Sequence, residues 1–297
     1  MHPDARSHAQ DLSDFVVASP TSYHAAAEIA RRLEAGGFRR FDERQPFGLP
    51  SGRGFVRRHG AVIAWVAPGS LSPDAGLRIV GTHTDSPAFK VKPDPALGGS
   101  GWQQVGVEIY GGPLLNSWLD RDLGIAGRIV TSDGAVHLVR SGAIARIPQL
   151  AIHLDRAAND GLKLERQTHL QPILGAAGAP GLLAHLAGLA GVDDGDVVAH
   201  DLYTFDTQPP QVIGIAGEFL AAGRLDNLAS THAALTAAES LRTSRDVTIF
   251  AAFDHEEVGS GTTSGAAGPI LEDVILRIAA GDGLGVAQTK ALLARSP

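Results

Sequence analysis

The chain has 297 residues, of which 44% are hydrophobic and 19% are charged, a composition typical of soluble globular proteins. A net charge of −7 and the lack of any Lys/Arg-rich run argue against nucleic acid and anionic membranes as partners. The sequence contains no cysteine, which excludes disulfides and thiolate catalysis, so any metal must be bound by histidines and carboxylates. Residues 1–6 open no apolar segment and no apolar run suits a membrane helix, so we expect a cytoplasmic protein without a signal peptide.

The first third of the chain predicts helices followed by strands. Residues 10–37 have the pattern of helix, interrupted at Ser19-Pro20-Thr21. Residues 55–58 and 61–66 predict a pair of strands joined by a tight turn, and residues 77–82 predict another buried strand.

The middle of the chain differs in composition from both ends. Prolines and glycines cluster at 93–101 and mark a boundary, short glycine-rich strands follow, and a second boundary lies at 206–210. A helix at 229–241 and an apolar strand at 246–252 then restore the alternation of strand and helix. We therefore predict an α/β fold with a discontinuous α/β domain, residues 1–95 and 211–297, interrupted by an inserted β-rich domain, residues 96–210.

Two adjacent glutamates, Glu256 and Glu257, follow the predicted strand 246–252, where open α/β sheets place their ligands. Adjacent carboxylates repel, and burying both without a partner costs several kcal/mol. Since no Lys or Arg lies between Thr248 and Gly261, a bound metal ion is one explanation, with one glutamate as ligand and the other as general base. The alternative is a solvated pair at a strand end.

A second polar group, His83 and Asp85, ends the strand 77–82, and its two side chains point to the same side. One hypothesis makes His83 a metal ligand whose tautomer is set by Asp85. The other makes this segment a surface turn in which Asp85 caps the next segment of the chain.

Asp226 precedes the predicted helix 229–241 and has two interpretations of its own. It is either the N-cap of that helix or a ligand whose two oxygens bridge two metal ions roughly 3.5–4 Å apart.

Two further groups remain open between structural and functional roles. Asp120, Arg121 and Asp122 either neutralise one another in a salt-bridge cluster or contact the functional site. His153 lies on an apolar run and is either a core histidine or a ligand. Neither a phosphate-binding loop, nor a dinucleotide fingerprint, nor a nucleophile elbow is present.

An ordered set of motifs along nearly the whole chain resembles the aspartyl aminopeptidases, the M18 metallopeptidases. In chain order the matching segments are Ser19-Pro20-Thr21 with His24, His83-Thr84-Asp85-Ser86-Pro87 with Lys90-Val91-Lys92-Pro93, Tyr110-Gly111-Gly112, Trp118 to Leu123, Ile147 to Leu154, Phe205 to Pro209, Gly223 to Leu228 and Phe253 to Ser260. Each motif alone is modest evidence, whereas the ordered set is specific.

This resemblance implies a zinc-exopeptidase-like α/β domain with an inserted assembly domain, a homo-oligomer, and release of N-terminal Asp or Glu from peptides. It also implies two zinc ions per site: His83 binds one, Glu257 binds the other, and Asp226 bridges both. Glu256 is then the general base that activates the attacking water, and Asp85 orients His83.

His153 lies where the resemblance places an active-site histidine, contributed from the inserted domain to a neighbouring subunit as a substrate contact or a metal ligand. One smaller departure is Gln149, which stands where the family usually has a histidine.

The family continues well past the region that corresponds to Pro297, and that stretch carries a further Asp ligand and a further His ligand. The chain therefore resembles a truncated member, and we expect weak or no activity from it. Two alternatives are a non-catalytic remnant that acts as a binding or assembly protein and a related two-metal amidohydrolase with another substrate.

Overall fold

The structure is a computed structural model that describes residues 3–47, 51–72 and 74–296. Within these ranges the helices are α1 (Pro3–Ala18), α2 (Ser22–Ala35), α3 (Leu182–Ala190), α4 (Leu225–Ser240), α5 (Ile270–Gly281) and α6 (Val286–Ala294). The strands are β1 (Arg39–Arg40), β2 (Gly52–Arg58), β3 (Ala61–Ala67), β4 (Leu77–His83), β5 (Ala88–Gly99), β6 (Trp102–Tyr110), β7 (Asp122–Thr131), β8 (Val136–Arg140), β9 (Ala145–Arg146), β10 (Ile173–Ala176), β11 (Val197–Asp206), β12 (Gln211–Ile213), β13 (Phe219–Ala221) and β14 (Val247–Phe253).

The described elements match most of the sequence predictions. The predicted break at Ser19-Pro20-Thr21 separates α1 from α2, and β2 and β3 form the predicted hairpin across His59 and Gly60. The predicted helix 229–241 begins earlier, at Leu225, and the strand β10 was not predicted. None of the helices in the described ranges is both long and apolar enough to cross a membrane.

The chain divides into two compact units. The first contains residues 1–86, 213–220 and 224–297, and the second contains residues 87–212 and 221–223. The predicted fold class, an α/β domain with an inserted β-rich domain, is confirmed.

The first unit is built on a mixed five-stranded sheet in the order β1-β2-β3-β14-β4. Helices α1, α2 and α4 contribute Phe15, Ile29 and Leu235 to the apolar core that includes Phe55 and Phe250 of the sheet. A second core, which includes Trp65, Ile249 and Ile278, joins the sheet to α5 and α6. The strand β14 supplies residues to both cores, which explains its almost unbroken apolar sequence.

The strand β4 exists as predicted, but the prediction that it is buried was wrong. In the described part of the chain β4 pairs only with β14, so it forms an edge of the sheet. Ile79 is 42% exposed and Val80 is 52% exposed, while Leu77 at the start of the strand is buried. The apolar sequence gave no sign of this exposure, because burial of a strand depends on what packs beside it.

The second unit is a β-barrel. Strands β11, β5, β6, β10, β9 and β7 follow one another, β11 pairs with β7 to close the ring, and β8 adds to β7. Alternate residues of these strands fill the interior, among them Phe89, Val107, Ile125 and Leu202.

The interface between α1 and α4 contains a hydrogen bond between a buried histidine and a half-exposed carboxylate. His232 is 1% exposed, and its Nε2 lies 2.7 Å from Oδ2 of Asp11. Burial lowers the pKa of His232 below its ordinary 6.5, although the hydrogen bond with Asp11 acts in the opposite direction. Burial raises the pKa of Asp11, but the hydrogen bond with His232 and the charge of Arg32 outweigh it, so this pKa is also lowered.

We expect the protein to self-associate through β4, because an exposed apolar edge strand offers unpaired backbone groups to another chain. A charged side chain on this strand should suppress that association. We expect Val80→Lys to reduce the fraction of large, undefined aggregates seen by light scattering as the protein concentration rises. Val286→Lys is the matched control, since Val286 is 80% exposed on a helix. An equal effect of both variants would show that the added charge, and not the edge strand, is responsible.

The lowered pKa of His232 predicts a loss of stability as pH falls below 6.5, since the unfolded chain then binds a proton that the folded chain does not. We expect the difference in melting temperature between pH 7.5 and pH 5 to be smaller in His232→Gln than in the wild type. Asp11 does not interfere in this range, because its contribution is lost only below 3.8. His185→Gln, on the exposed face of α3, serves as the control and should keep the wild-type pH dependence. Parallel pH curves for the wild type and His232→Gln would contradict the assignment.

Candidate metal centre

The polar motifs of the sequence meet because β4 and β14 are parallel neighbours. Their register pairs His83 with Phe253, so both strands end at the same level of the sheet. The backbone N–H of Thr84 donates to the carbonyl of Phe253 at 2.8 Å and extends this pairing by one residue. His83-Thr84-Asp85 and the Glu256–Glu257 pair are thereby brought side by side at the carboxyl edge of the sheet.

His83 is held at both ring nitrogens. Its Nδ1 lies 3.0 Å from the backbone oxygen and 3.3 Å from Oδ1 of Asp85, while its Nε2 lies 3.2 Å from Oδ1 of Asp226 and 3.8 Å from Oε2 of Glu256. Burial lowers the pKa of His83, but the hydrogen bond and charge of Asp85, together with the charge of Glu256, outweigh it and raise this pKa above 6.5. With Nδ1–H donated to Asp85, Nε2 carries a lone pair that faces two carboxylates. A proton or a cation at Nε2 would interact favourably with both carboxylates.

Asp85 connects the two strand ends. It is 4% exposed, and its Oδ1 and Oδ2 accept from the backbone N–H groups of Glu256 at 3.2 Å and of Glu257 at 3.1 Å. These are the first two residues of a 3₁₀ turn, Glu256–Val258, so Asp85 caps this turn as well as orienting His83. The alternative of an exposed surface turn at Asp85 was wrong, because the carboxylate is buried.

Asp226 reaches the site from the start of α4. Asp226 and Asn227 have non-helical backbone angles, and the Asp226 carbonyl accepts from Oγ of Ser86 at 2.7 Å. Oδ1 of Asn227 lies 3.4 Å from the backbone nitrogen of His83. The side chains of Asp226 and Glu256 are 75% and 55% exposed, so the site is open to solvent on this side.

Two supporting residues were missed at the sequence level. Thr231 is fully buried and donates through Oγ1 to the carbonyl of His83 at 2.8 Å. Asp254 is fully buried two positions before Glu256, and its pKa is raised, first by burial and then by Asp85, against the lowering effects of His255 and Ser22. The position of Asp254 at the end of an apolar strand was the only available signal.

His153 lies in the second unit, in an exposed turn. The alternative that it is a core histidine was wrong: Ile152 and Leu154 beside it are 45% and 75% exposed, so the apolar run is a surface segment.

The cluster Asp120-Arg121-Asp122 forms ion pairs with other segments. Arg121 binds Asp206 at 2.6 Å, and Arg146 binds Asp122 at 2.5 Å with Asp120 at 3.7 Å. The charges of this tripeptide are therefore neutralised within the second unit, but by partners that are distant in sequence.

The donor set of the site fits part of a zinc centre. Neutral histidine nitrogen and carboxylate oxygen are the ligands that zinc takes when cysteine is absent, and the other ring nitrogen of His83 is tied to a carboxylate as in zinc sites. Across residues 3–47, 51–72 and 74–296, however, no three histidine or acidic side chains are grouped closely enough to hold an ion by themselves. The backbone of Glu257 is fixed by Asp85, and its half-buried side chain belongs to the same turn.

Comparison with known proteins decides the family. Residues 15–296 match the aminopeptidase I zinc metalloprotease family, M18. The chain belongs to the M18 family. The predicted resemblance is therefore confirmed.

The relatives span a longer sequence than this chain. A probable M18 family aminopeptidase 2 of Streptomyces avermitilis is 49% identical over 281 residues, which cover 92% of this chain and 65% of that protein. The chain thus spans about 65% of the length of the curated relatives it matches.

Two solved structures share the fold. The mApe1 dodecamer of S. cerevisiae is 28% identical with a TM-score of 0.83, over 99% of this chain and 70% of that one. The M18 aminopeptidase of Thermotoga maritima superposes with a TM-score of 0.85 at 22% identity, over 100% of this chain and 69% of that one.

The double role of Asp85 predicts that Asp85→Asn destabilises the protein. An asparagine has one acceptor oxygen in place of two, so one backbone N–H of the 3₁₀ turn loses its buried partner, which costs about 1–3 kcal/mol. Urea unfolding measures this free energy, with Asp74→Asn on an exposed loop as the control. Equal stability of the two variants would show that Asp85 does not hold this turn.

Proposed function

We propose that the chain carries the core of an aminopeptidase centre that uses zinc-activated water to release N-terminal Asp or Glu from peptides. The observation that carries this proposal is the environment of His83 Nε2. This nitrogen lies 3.2 Å from Oδ1 of Asp226 and 3.8 Å from Oε2 of Glu256, and Nδ1 on the other side of the ring lies 3.3 Å from Oδ1 of Asp85. Such a cluster of acceptors around one imidazole is suited to a divalent cation. Membership of the M18 zinc metalloproteases supports the same choice.

In this proposal His83, Asp226 and Glu257 hold the metal. When bound, zinc would act as a Lewis acid that polarises the scissile carbonyl, and it would lower the pKa of a water molecule toward neutrality. Glu256 then accepts the proton of the attacking water and returns it to the leaving amine. The Oε2 atom of Glu256, 3.8 Å from Nε2 of His83 and exposed to solvent, is well placed for this exchange.

The substrate and the assembly are the finer parts of the proposal. Preference for acidic residues is inferred from the resemblance to aspartyl aminopeptidases. A homo-oligomer is supported by the relative that was solved as a dodecamer. The exposed apolar residues Leu150, Ile152 and Leu154 suit a contact between copies, and we propose that His153 among them reaches the substrate of a neighbouring copy.

One observation favours a second function. The described residues bring no three metal-binding side chains together, whereas a zinc ion takes four ligands. With fewer ligands than zinc requires, the chain would bind zinc weakly and hydrolyse peptides slowly. The alternative function is then a non-catalytic role in binding or assembly. Stable oligomers whose formation does not depend on metal would favour that alternative.

The role of Glu256 predicts that Glu256→Gln lowers whatever release of acidic residues the zinc-loaded chain supports. A general base contributes about 10²- to 10⁴-fold to the rate, so kcat should fall by at least about 100-fold while zinc affinity changes little. The assay compares Asp-, Glu- and Leu-anilide substrates. Glu272→Gln, the same substitution at an exposed position on α5, is the matched control. Normal turnover by Glu256→Gln would exclude this residue as the base, and faster release of Leu than of Asp would exclude the acidic preference.

A further inference from the structure

Asp254 is a buried carboxylate that has no part in the chemistry proposed above. The residue is fully buried directly after β14, two positions before the 3₁₀ turn Glu256–Val258. Taking a carboxylate out of water is costly, and an apolar side chain would fill the same space at lower cost. Its presence in an apolar strand end therefore calls for a specific role.

The contacts of Asp254 are directed mainly at the turn next to it in the chain. Its Oδ1 accepts from the backbone N–H of His255 at 2.9 Å, and its Oδ2 lies 3.7 Å from Nε2 of the same histidine. The backbone N–H of Asp254 donates to the carbonyl of Ser264 at 3.0 Å, which ties the beginning of the loop to its far end.

His255 needs this support because its backbone is in the left-handed region, with φ of 64°. A non-glycine residue pays about 1–3 kcal/mol for such a conformation and keeps it only when its surroundings enforce it. The His255 ring is held from the other side, since Nδ1 lies 3.0 Å from Oγ1 of Thr262. This conformation turns the chain out of the strand direction, so that Glu256 and Glu257 present their backbone N–H groups to Asp85.

Gly60, in the turn of the β2–β3 hairpin, packs against the carboxylate of Asp254. A Cβ atom on Gly60 would lie 2.2 Å from Oδ2 of Asp254 and 2.7 Å from Oγ of Ser22, so any side chain at position 60 would displace the carboxylate. The carbonyl of Gly60 also accepts from Oγ1 of Thr84 at 2.7 Å, between the two metal-centre residues His83 and Asp85. The β2–β3 turn thus contacts both strand ends of the site, through Asp254 on one and through Thr84 on the other.

We propose that Asp254, seated against Gly60, is a positioning residue that fixes the left-handed turn at His255 and thereby aims Glu256 and Glu257 at His83 and Asp226. Asp85 accepts from the backbone N–H groups of Glu256 and Glu257, and Asp254 accepts from the backbone N–H group of His255. The inference builds on the metal centre proposed above, but the geometry it concerns exists in the chain without metal.

The test perturbs the carboxylate both directly and from a distance. Asp254→Ala removes it, Asp254→Asn keeps an acceptor oxygen for the His255 N–H, and Gly60→Ala displaces it from a position far away in sequence. Gly69→Ala is the matched control, because a Cβ atom at Gly69 meets nothing within 4 Å. The primary readout is hydrogen exchange of the Glu256 and Glu257 amides in the metal-free chain. Protection of β14 reports whether each variant is folded, and zinc affinity is measured second.

We expect Asp254→Ala and Gly60→Ala to speed exchange of the two amides by about tenfold or more with β14 still protected, while Asp254→Asn and Gly69→Ala stay close to the wild type. Zinc affinity should fall by about 10- to 100-fold in the first two variants, as for other residues that orient metal ligands.

Wild-type exchange of both amides in a folded Asp254→Ala or Gly60→Ala would overturn the proposal. So would equal damage by Asp254→Asn and Asp254→Ala. If Gly60→Ala does not fold, the comparison of Asp254→Ala with Asp254→Asn decides alone. Absence of zinc binding in the wild type would remove the metal centre instead, while the exchange rates would still decide the role of Asp254.

Discussion

The parallel pairing of β4 with β14 is the constraint on which the site depends. Because Phe253 is in register with His83, the two strands end at the same level and their next residues must share one edge of the sheet. Asp85 then joins them, with one carboxylate that serves both the imidazole of His83 and two backbone N–H groups of the Glu turn. A shift of one residue in this register would turn His83 to the opposite face of the sheet and separate the groups.

The carboxylates at this edge of the sheet determine the charge around His83. Asp226, Glu256 and Asp85 surround one histidine, and the pKa of His83 is raised because Asp85 and Glu256 more than offset the effect of its burial. Two of these carboxylates are open to solvent, which keeps the arrangement tolerable without a partner cation, while Asp85 and Asp254 are buried and hydrogen-bonded to backbone. The site therefore combines a rigid, buried support with exposed oxygens that are free to bind.

The sequence predicted those parts of the fold that local patterns control. The break between α1 and α2 follows from Ser19-Pro20-Thr21, the β2–β3 hairpin from two short apolar runs, and the inserted β-rich segment from a change in composition. The motifs of His83 and of the Glu pair were found because each ends an apolar strand, and Asp226 was found because it precedes a predicted helix.

The exposure of β4 could not be predicted, since the strand itself is as apolar as a buried one and only the sheet order shows that it is an edge. The roles of Asp254 and Gly60 could not be predicted for a related reason: their contact joins residues that are 194 positions apart, and no local sequence pattern shows such a contact. The exposure of His153 could not be predicted either, because the turn that contains it has an apolar sequence like that of a core segment.

The most direct test of the metal centre is a zinc titration of the 297-residue chain and of His83→Ala, with the stoichiometry and affinity read by equilibrium dialysis. The geometry predicts one loosely held zinc ion per wild-type chain and none in His83→Ala. Zinc binding that survives His83→Ala, or no zinc binding to the wild type, would contradict a centre organised around His83, Asp226 and the Glu turn.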